Sequence, residues 1–197
     1  SIDGEIIEEP SPFVAQVMAD VERLSAEDEP YHREPITYEA PYLDNLPTAP
    51  REKFNANIAA IQKLKEIEQR VANGGVPANE EEQQILAQYT GWGGLPDAFD
   101  PNKSAWSNEY SQLKAALSES EYEAARSSTL TAFYTPATVI HPIYRALERF
   151  GVKGGKILEP SMGTGAFLAH GHFGSSDAKF YGVELDSITG RISKQLY

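Results

Sequence analysis

The chain contains no cysteine, which excludes disulfides and thiolate metal sites. No run approaches 18 consecutive apolar residues, so no membrane span is expected. No basic, apolar leader ending in small residues opens the sequence, so nothing marks it for secretion. The expected compartment is therefore the cytoplasm. Basic residues are scarce, with 17 Lys and Arg against 29 Asp and Glu and a net charge of −12. Nucleic-acid binding draws affinity from cations that neutralise phosphates, and this balance does not supply them. The deficit is uneven. Residues 1–50 hold 12 acids and 2 bases, a net of −10, and residues 51–197 hold 17 acids and 15 bases, a net of −2. The four histidines show no ligand spacing to a carboxylate, so no metal site is expected. The serines have no local His-Asp grouping, so a hydrolytic triad is unsupported.

What is present concentrates in one segment, Lys156-Ile-Leu-Glu159-Pro160-Ser161-Met-Gly163-Thr-Gly165-Ala-Phe167. A short apolar run ends in a carboxylate, a small-residue loop follows, and an apolar helix begins. This is the strand–loop–helix order of a first βα turn in a nucleotide-type fold. Gly163 and Gly165 leave room for a ligand against the backbone. A carboxylate before the loop repels pyrophosphate and favours a ligand with a cationic group, as in S-adenosylmethionine (SAM).

A second strand-like run, Phe180-Tyr-Gly-Val-Glu184, places an acid 19 residues after Gly165. At that spacing an acid can accept from ribose hydroxyls, and Asp186 is a weaker candidate for the role. The plainer reading is an ordinary βαβ unit with acidic strand ends. Upstream, Phe133-Tyr134-Thr135-Pro136 precedes Val139, Ile140, Ile143, Tyr144, Leu147 and Phe150 at helical spacing, with Gly151 as a stop. Thr135 is expected as N-cap and Pro136 in the first turn.

These three motifs, across Ala132–Ile192, resemble the SAM-binding half of N6-adenine DNA methyltransferases of the gamma class. The nearest resemblance is to the methylase region of very large phage and mobile-element proteins, which often carry a helicase further on. The stretch from Phe54 through Gly91-Trp92-Gly93-Gly94 resembles their leader. The resemblance implies SAM as cofactor. It places Thr135 and Pro136 at the methionine end, and Glu159, Pro160, Ser161, Gly163 and Gly165 around the amino-acid moiety with Glu159 nearest the ammonium. Glu184 falls at the ribose and Leu185 at the adenine face. It also implies a role in restriction-modification, with DNA as the partner of the parent protein. The family's catalytic Asn/Asp-Pro-Pro-aromatic string, which grips a flipped base, is absent. No catalytic residue is therefore assigned, and an N-terminal piece of a longer protein, inactive alone, is expected.

The expected fold is α/β. Residues 1–50 form an acidic, Pro-rich extended segment with one amphipathic helix through Phe13–Leu24 and tyrosines at 31–42. Residues 51–130 are helical. Residues 131–197 form a truncated Rossmann-like SAM-dependent methyltransferase fold. Phe54, Ile58, Ile61, Leu64 and Val71 mark one helix, ended by Asn73-Gly74-Gly75. Asn79 and Glu82 make a capping box for the next. Tyr110, Leu113 and Leu117, then Tyr122 and Ala125, indicate more. The Trp92 loop reads as a packed loop or as a lid. Two strands with open edges suggest either a homodimer through the truncated sheet, the favoured outcome, or a rearranged C-terminus. Three alternatives remain open. One is a dinucleotide dehydrogenase piece, whose third loop glycine is Leu168 here. Another is a non-catalytic interaction module of a phage or conjugative-element protein. The third is a methyltransferase acting on RNA or protein.

Overall fold

A computed structural model describes residue 19, residues 45–171 and residues 178–197. The expectations for the acidic segment up to residue 44 lie outside the described residues. From Asn45 to Tyr197 the described chain belongs to one compact unit. It is mixed α/β, mostly helical, with a two-stranded parallel sheet.

Helix α1 (Pro50–Ala72) opens with proline in its first turn and acidic Glu52 near its N-terminus. Both choices suit a helix start. Phe54, Ile58, Ile61, Leu64 and Ile67 recur every three or four residues and are buried. Val71 is only partly buried against the same core. Asn73 caps the helix, and Gly74 at φ +81° ends it. Helix α2 (Glu80–Ala87) begins at a complete capping box between Asn79 and Glu82. Leu86 is buried, while Ile85 is largely exposed.

Helices α3 (Ser107–Ala116) and α4 (Glu119–Ser128) follow, the second started by a capping box between Ser118 and Glu121. Trp92 is the hub of this core. Its ring meets Phe54, Tyr89 and Phe99 edge-on, with centroids 6.1, 6.4 and 5.4 Å away. Gly93 lies so close to the Ala132 carbonyl that a Cβ would overlap it. The loop is thus a packed anchor rather than a lid.

Helix α5 (Ala137–Arg149) starts one residue later than expected. Pro136 is its N-cap, and Thr135 makes no capping bond because it stands outside the helix. Ile140 and Tyr144 are buried against the sheet, and Leu147 is partly buried. Val139 and Ile143 stay exposed, because two strands are narrower than the apolar face of the helix. Strands β1 (Gly155–Glu159) and β2 (Ala178–Gly182) pair in parallel, Ile157 opposite Phe180. The short helix α6 (Ala166–Ala169) lies between them in sequence. β2 ends before Glu184, which therefore sits in the following loop. One parallel pair does not make a Rossmann sheet, and that finer expectation goes beyond what is observed.

The largest departure from the sequence reading is helix α7 (Ser187–Leu196). Asp186 caps it, and Ile188, Ile192 and Leu196 are fully buried in the helical core. The chain after β2 leaves the sheet. It returns to α1 and α2, where Arg191 forms a two-pronged pair with Glu68 and a further pair with Glu121. Gln195 accepts from Ala78 N–H at 3.1 Å, and its own carbonyl accepts from Gln83.

Candidate functional site

The loop after β1 is held by the loop after β2. Val183 N–H donates to Glu159 O at 2.9 Å, and Met162 N–H donates to Val183 O at 3.0 Å. Gly163 N–H donates to Glu184 Oε2 at 2.8 Å, and Asp186 N–H donates to Glu184 Oε1 at 2.9 Å. Each carboxylate oxygen of Glu184 thus holds one backbone amide and keeps further acceptor capacity. Ser193 Oγ donates to Gly163 O at 2.8 Å. Gly165 adopts φ +84°, and the Tyr197 ring fills the space where its Cβ would be.

Above this loop stands a cavity of about 450 Å³. One wall comes from Ala124, Ser127 and Ser128 of α4 and from Thr131 and Ala132 beyond it; Tyr89 and Gly91 line it too. Gly91 O accepts from Asn57 Nδ2 at 2.7 Å, and Thr90 N–H donates to Asn57 Oδ1 at 2.9 Å, so a buried amide fixes this wall. Tyr134 packs its ring over Gly163, and its hydroxyl lies 3.4 Å from Thr189 Oγ1. Burial pushes the Tyr134 phenol up, so it stays protonated and able to donate. Asp186 Oδ2 accepts from both Thr189 N–H and Thr189 Oγ1.

Among the described residues, the lining contains Glu184 and Asp186 and no Lys or Arg. A cavity of that charge attracts a cation and repels phosphate. Leu185 at its edge is fully exposed and Phe133 is 66% exposed, so its rim is apolar.

Of the residues singled out from the sequence, Ser161, Gly163, Glu184 and Leu185 line this cavity. Thr135, Pro136, Glu159, Pro160 and Gly165 do not. Thr135 and Pro136 are exposed, Glu159 accepts from Ser161 N–H at 3.2 Å, and Gly165 is sealed beneath Tyr197. Asp186, the weaker ribose candidate, is occupied as a helix cap while it lines the cavity. The sequence reading missed Tyr89, Thr189 and the small residues of α4. The Asp186–Thr189 cap before Ile188, Ile192 and Leu196 was the available signal for α7. Two histidines far apart in sequence also meet, for His141 Nε2 lies 3.1 Å from His170 Nδ1.

No protein-family model matches the chain. No solved structure matches it. A curated protein that does is Defense against restriction protein B of Escherichia phage P1, 25% identical over 166 residues. The match covers 84% of this chain and 6% of that protein. The chain thus spans a small fraction of the relative's length. This finding corrects the expected membership in the DNA adenine methyltransferases. The likeness is to a protein named for defence against restriction, so the expected adenine-N6 methylation and restriction-modification role fall together with the methyltransferase reading. DNA and a second copy of the chain gain no support as partners. No helix among the described residues is long and apolar enough to cross a membrane.

Proposed function

We propose that this chain is a non-catalytic, ligand-binding interaction module of a large phage- or mobile-element-type protein. Its ligand is a nucleoside carrying a cationic group, of the SAM kind. The observation that carries this reading is the cavity, whose described lining holds two carboxylates and no base. Glu184 and Asp186 offer the charge an ammonium or sulfonium seeks. Ser127 and Ser128, whose hydroxyls donate to Ala124 O and Ala125 O, keep acceptor oxygens for sugar hydroxyls or base amines. The apolar rim of Phe133 and Leu185 supports an interaction role, because exposed apolar groups at a cleft mark contact surfaces. The likeness to a phage protein named for defence against restriction supports the same class. The finer expectation of a nucleotide-type βα turn also belongs here, supported by the parallel pair and the loop between its strands.

Calorimetric titration with SAM and with NAD tests the reading. SAM is expected to bind and NAD to fail, because NAD brings its pyrophosphate to an acidic wall. Glu184→Ala is expected to weaken SAM binding by about 1.5–3 kcal/mol, the worth of hydrogen bonds to a charged group. Equal affinity for NAD, or no heat from either ligand, counts against the proposal. Radiolabel from SAM is expected to reach no nucleic acid or protein added to the purified chain, and its appearance there would refute the non-catalytic reading.

A further inference from the structure

We propose that His141 and His170 form a binding site for a divalent transition-metal ion of the Zn²⁺ class. The two imidazoles come from different elements, His141 from α5 and His170 from the residue that caps α6. Their nitrogens, Nε2 and Nδ1, stand 3.1 Å apart. Two nitrogens bound to one such ion at about 2.0–2.1 Å, at angles between square and tetrahedral, stand about 2.9–3.4 Å apart. The observed separation lies inside that range.

Ring orientation fits a shared ion as well as it fits the hydrogen bond that the same separation allows. Rings that pointed nitrogen to nitrogen would hold their centroids apart by the nitrogen gap plus two ring radii. The observed centroid separation is 4.8 Å, shorter than that sum, and the planes cross at 81°. At least one ring therefore leans off the nitrogen–nitrogen line. A shared ion requires such a lean, and a hydrogen bond, strongest when donor, proton and acceptor are nearly straight, tolerates a moderate one. Two neutral imidazoles suit Zn²⁺, Ni²⁺ and Cu²⁺.

The surroundings fit as well. His170 is buried and positioned by the chain around it, whereas His141 is exposed, so the ion can arrive from solvent. Among the described residues no group of three or more His, Asp and Glu gathers anywhere. The described residues thus supply two ligands, and an ion held by two imidazoles is exchangeable rather than locked in a closed structural site. Occupation ties the helix that covers the sheet to the short helix that begins on the glycine loop. The site is separate from the acidic cavity and does not depend on how that cavity is read.

The test is a thermal melt of the full chain with Zn²⁺ and, separately, Ni²⁺. At a hundredfold excess over the dissociation constant, Tm is expected to rise by about 5 °C or more. His141→Ala, at an exposed position, is expected to fold normally and to show no rise. Imidazole proton resonances of both histidines are expected to shift or broaden with metal in the wild type. Three results overturn the proposal: no rise in the wild type, an undiminished rise in His141→Ala, or a loss in His172→Ala that His141→Ala does not share.

Discussion

At the residue scale, the decisive side chains are those that hold backbone in place. Glu184 joins two loops by accepting from the amides of Gly163 and Asp186, so a ligand contact and a loop tie meet in one carboxylate. Glu184→Gln is therefore expected to lose less affinity than Glu184→Ala, since a carboxamide oxygen can keep one of the two amide bonds. Parallel calorimetry of the two variants checks the order. Trp92 is a purely structural counterpart. Its fully buried ring sits among three aromatics, and Trp92→Ala is expected to cost about 3–5 kcal/mol in urea unfolding. Gly93→Ala drives a methyl into the Ala132 carbonyl and is expected to cost about 1–3 kcal/mol. A stability equal to wild type would show that the two loops can separate freely.

At the element scale, ion pairs join helices that hydrophobic contacts already place. Arg191 of α7 links Glu68 of α1 to Glu121 of α4. Burial is the largest influence on Glu121 and pushes its carboxyl up. Arg191, the Ser118 amide and Lys65 together outweigh it and hold the carboxyl at about 2. The hydrogen bond from Arg70 likewise holds Glu82 at about 2, against a usual 4.5. Both carboxyls are depressed on folding. The stability they contribute is complete above pH about 4.5 and is lost as pH falls towards about 2. Urea midpoints are expected to be flat from pH 7 to 5 and to fall steeply below 4.5, with a shallower fall in Glu82→Gln. Arg191→Met takes this partner from Glu68 and leaves Glu121 with Lys65 and the Ser118 amide. It is expected to cost about 1–2 kcal/mol, less than a fully buried pair because water reaches the guanidinium. An unchanged midpoint at pH 7 would show the pairs to be solvent-compensated.

At the scale of the whole molecule, α7 joins the sheet region and the helical core into a single cooperative unit. Ile188, Ile192 and Leu196 are fully buried, and each such side chain is worth about 2–5 kcal/mol when truncated. Their sum is comparable to the entire stability of an ordinary domain, about 5–15 kcal/mol. Deletion of residues 187–197 is therefore expected to unfold the helical core as well as to open the cavity. Circular dichroism of the shortened chain checks this, and a melt close to that of the full chain would show the two regions to be independent.

Local structure was already legible in the order of residues. Apolar residues at helical spacing placed α1 and α5, and the Asn79–Glu82 box placed the start of α2, since these signals lie within one element. The β1–loop–β2 order was readable for the same reason, whereas the ties of Glu184 to the Gly163 and Asp186 amides were not. Which of those residues meet is a matter of tertiary packing. Glu159 and Gly165 sit in the most conspicuous motif, yet the fold turns the first onto its own loop and covers the second with Tyr197. Tyr89, the α4 serines and Thr189 carry no signature, because a cavity wall is assembled from segments far apart in the chain. Spacing also left His141 and His170 unrelated, and only the packing of α5 beside α6 brings their nitrogens within 3.1 Å. Local patterns report energies settled within a few turns of chain, whereas a site depends on long-range packing that no short window contains.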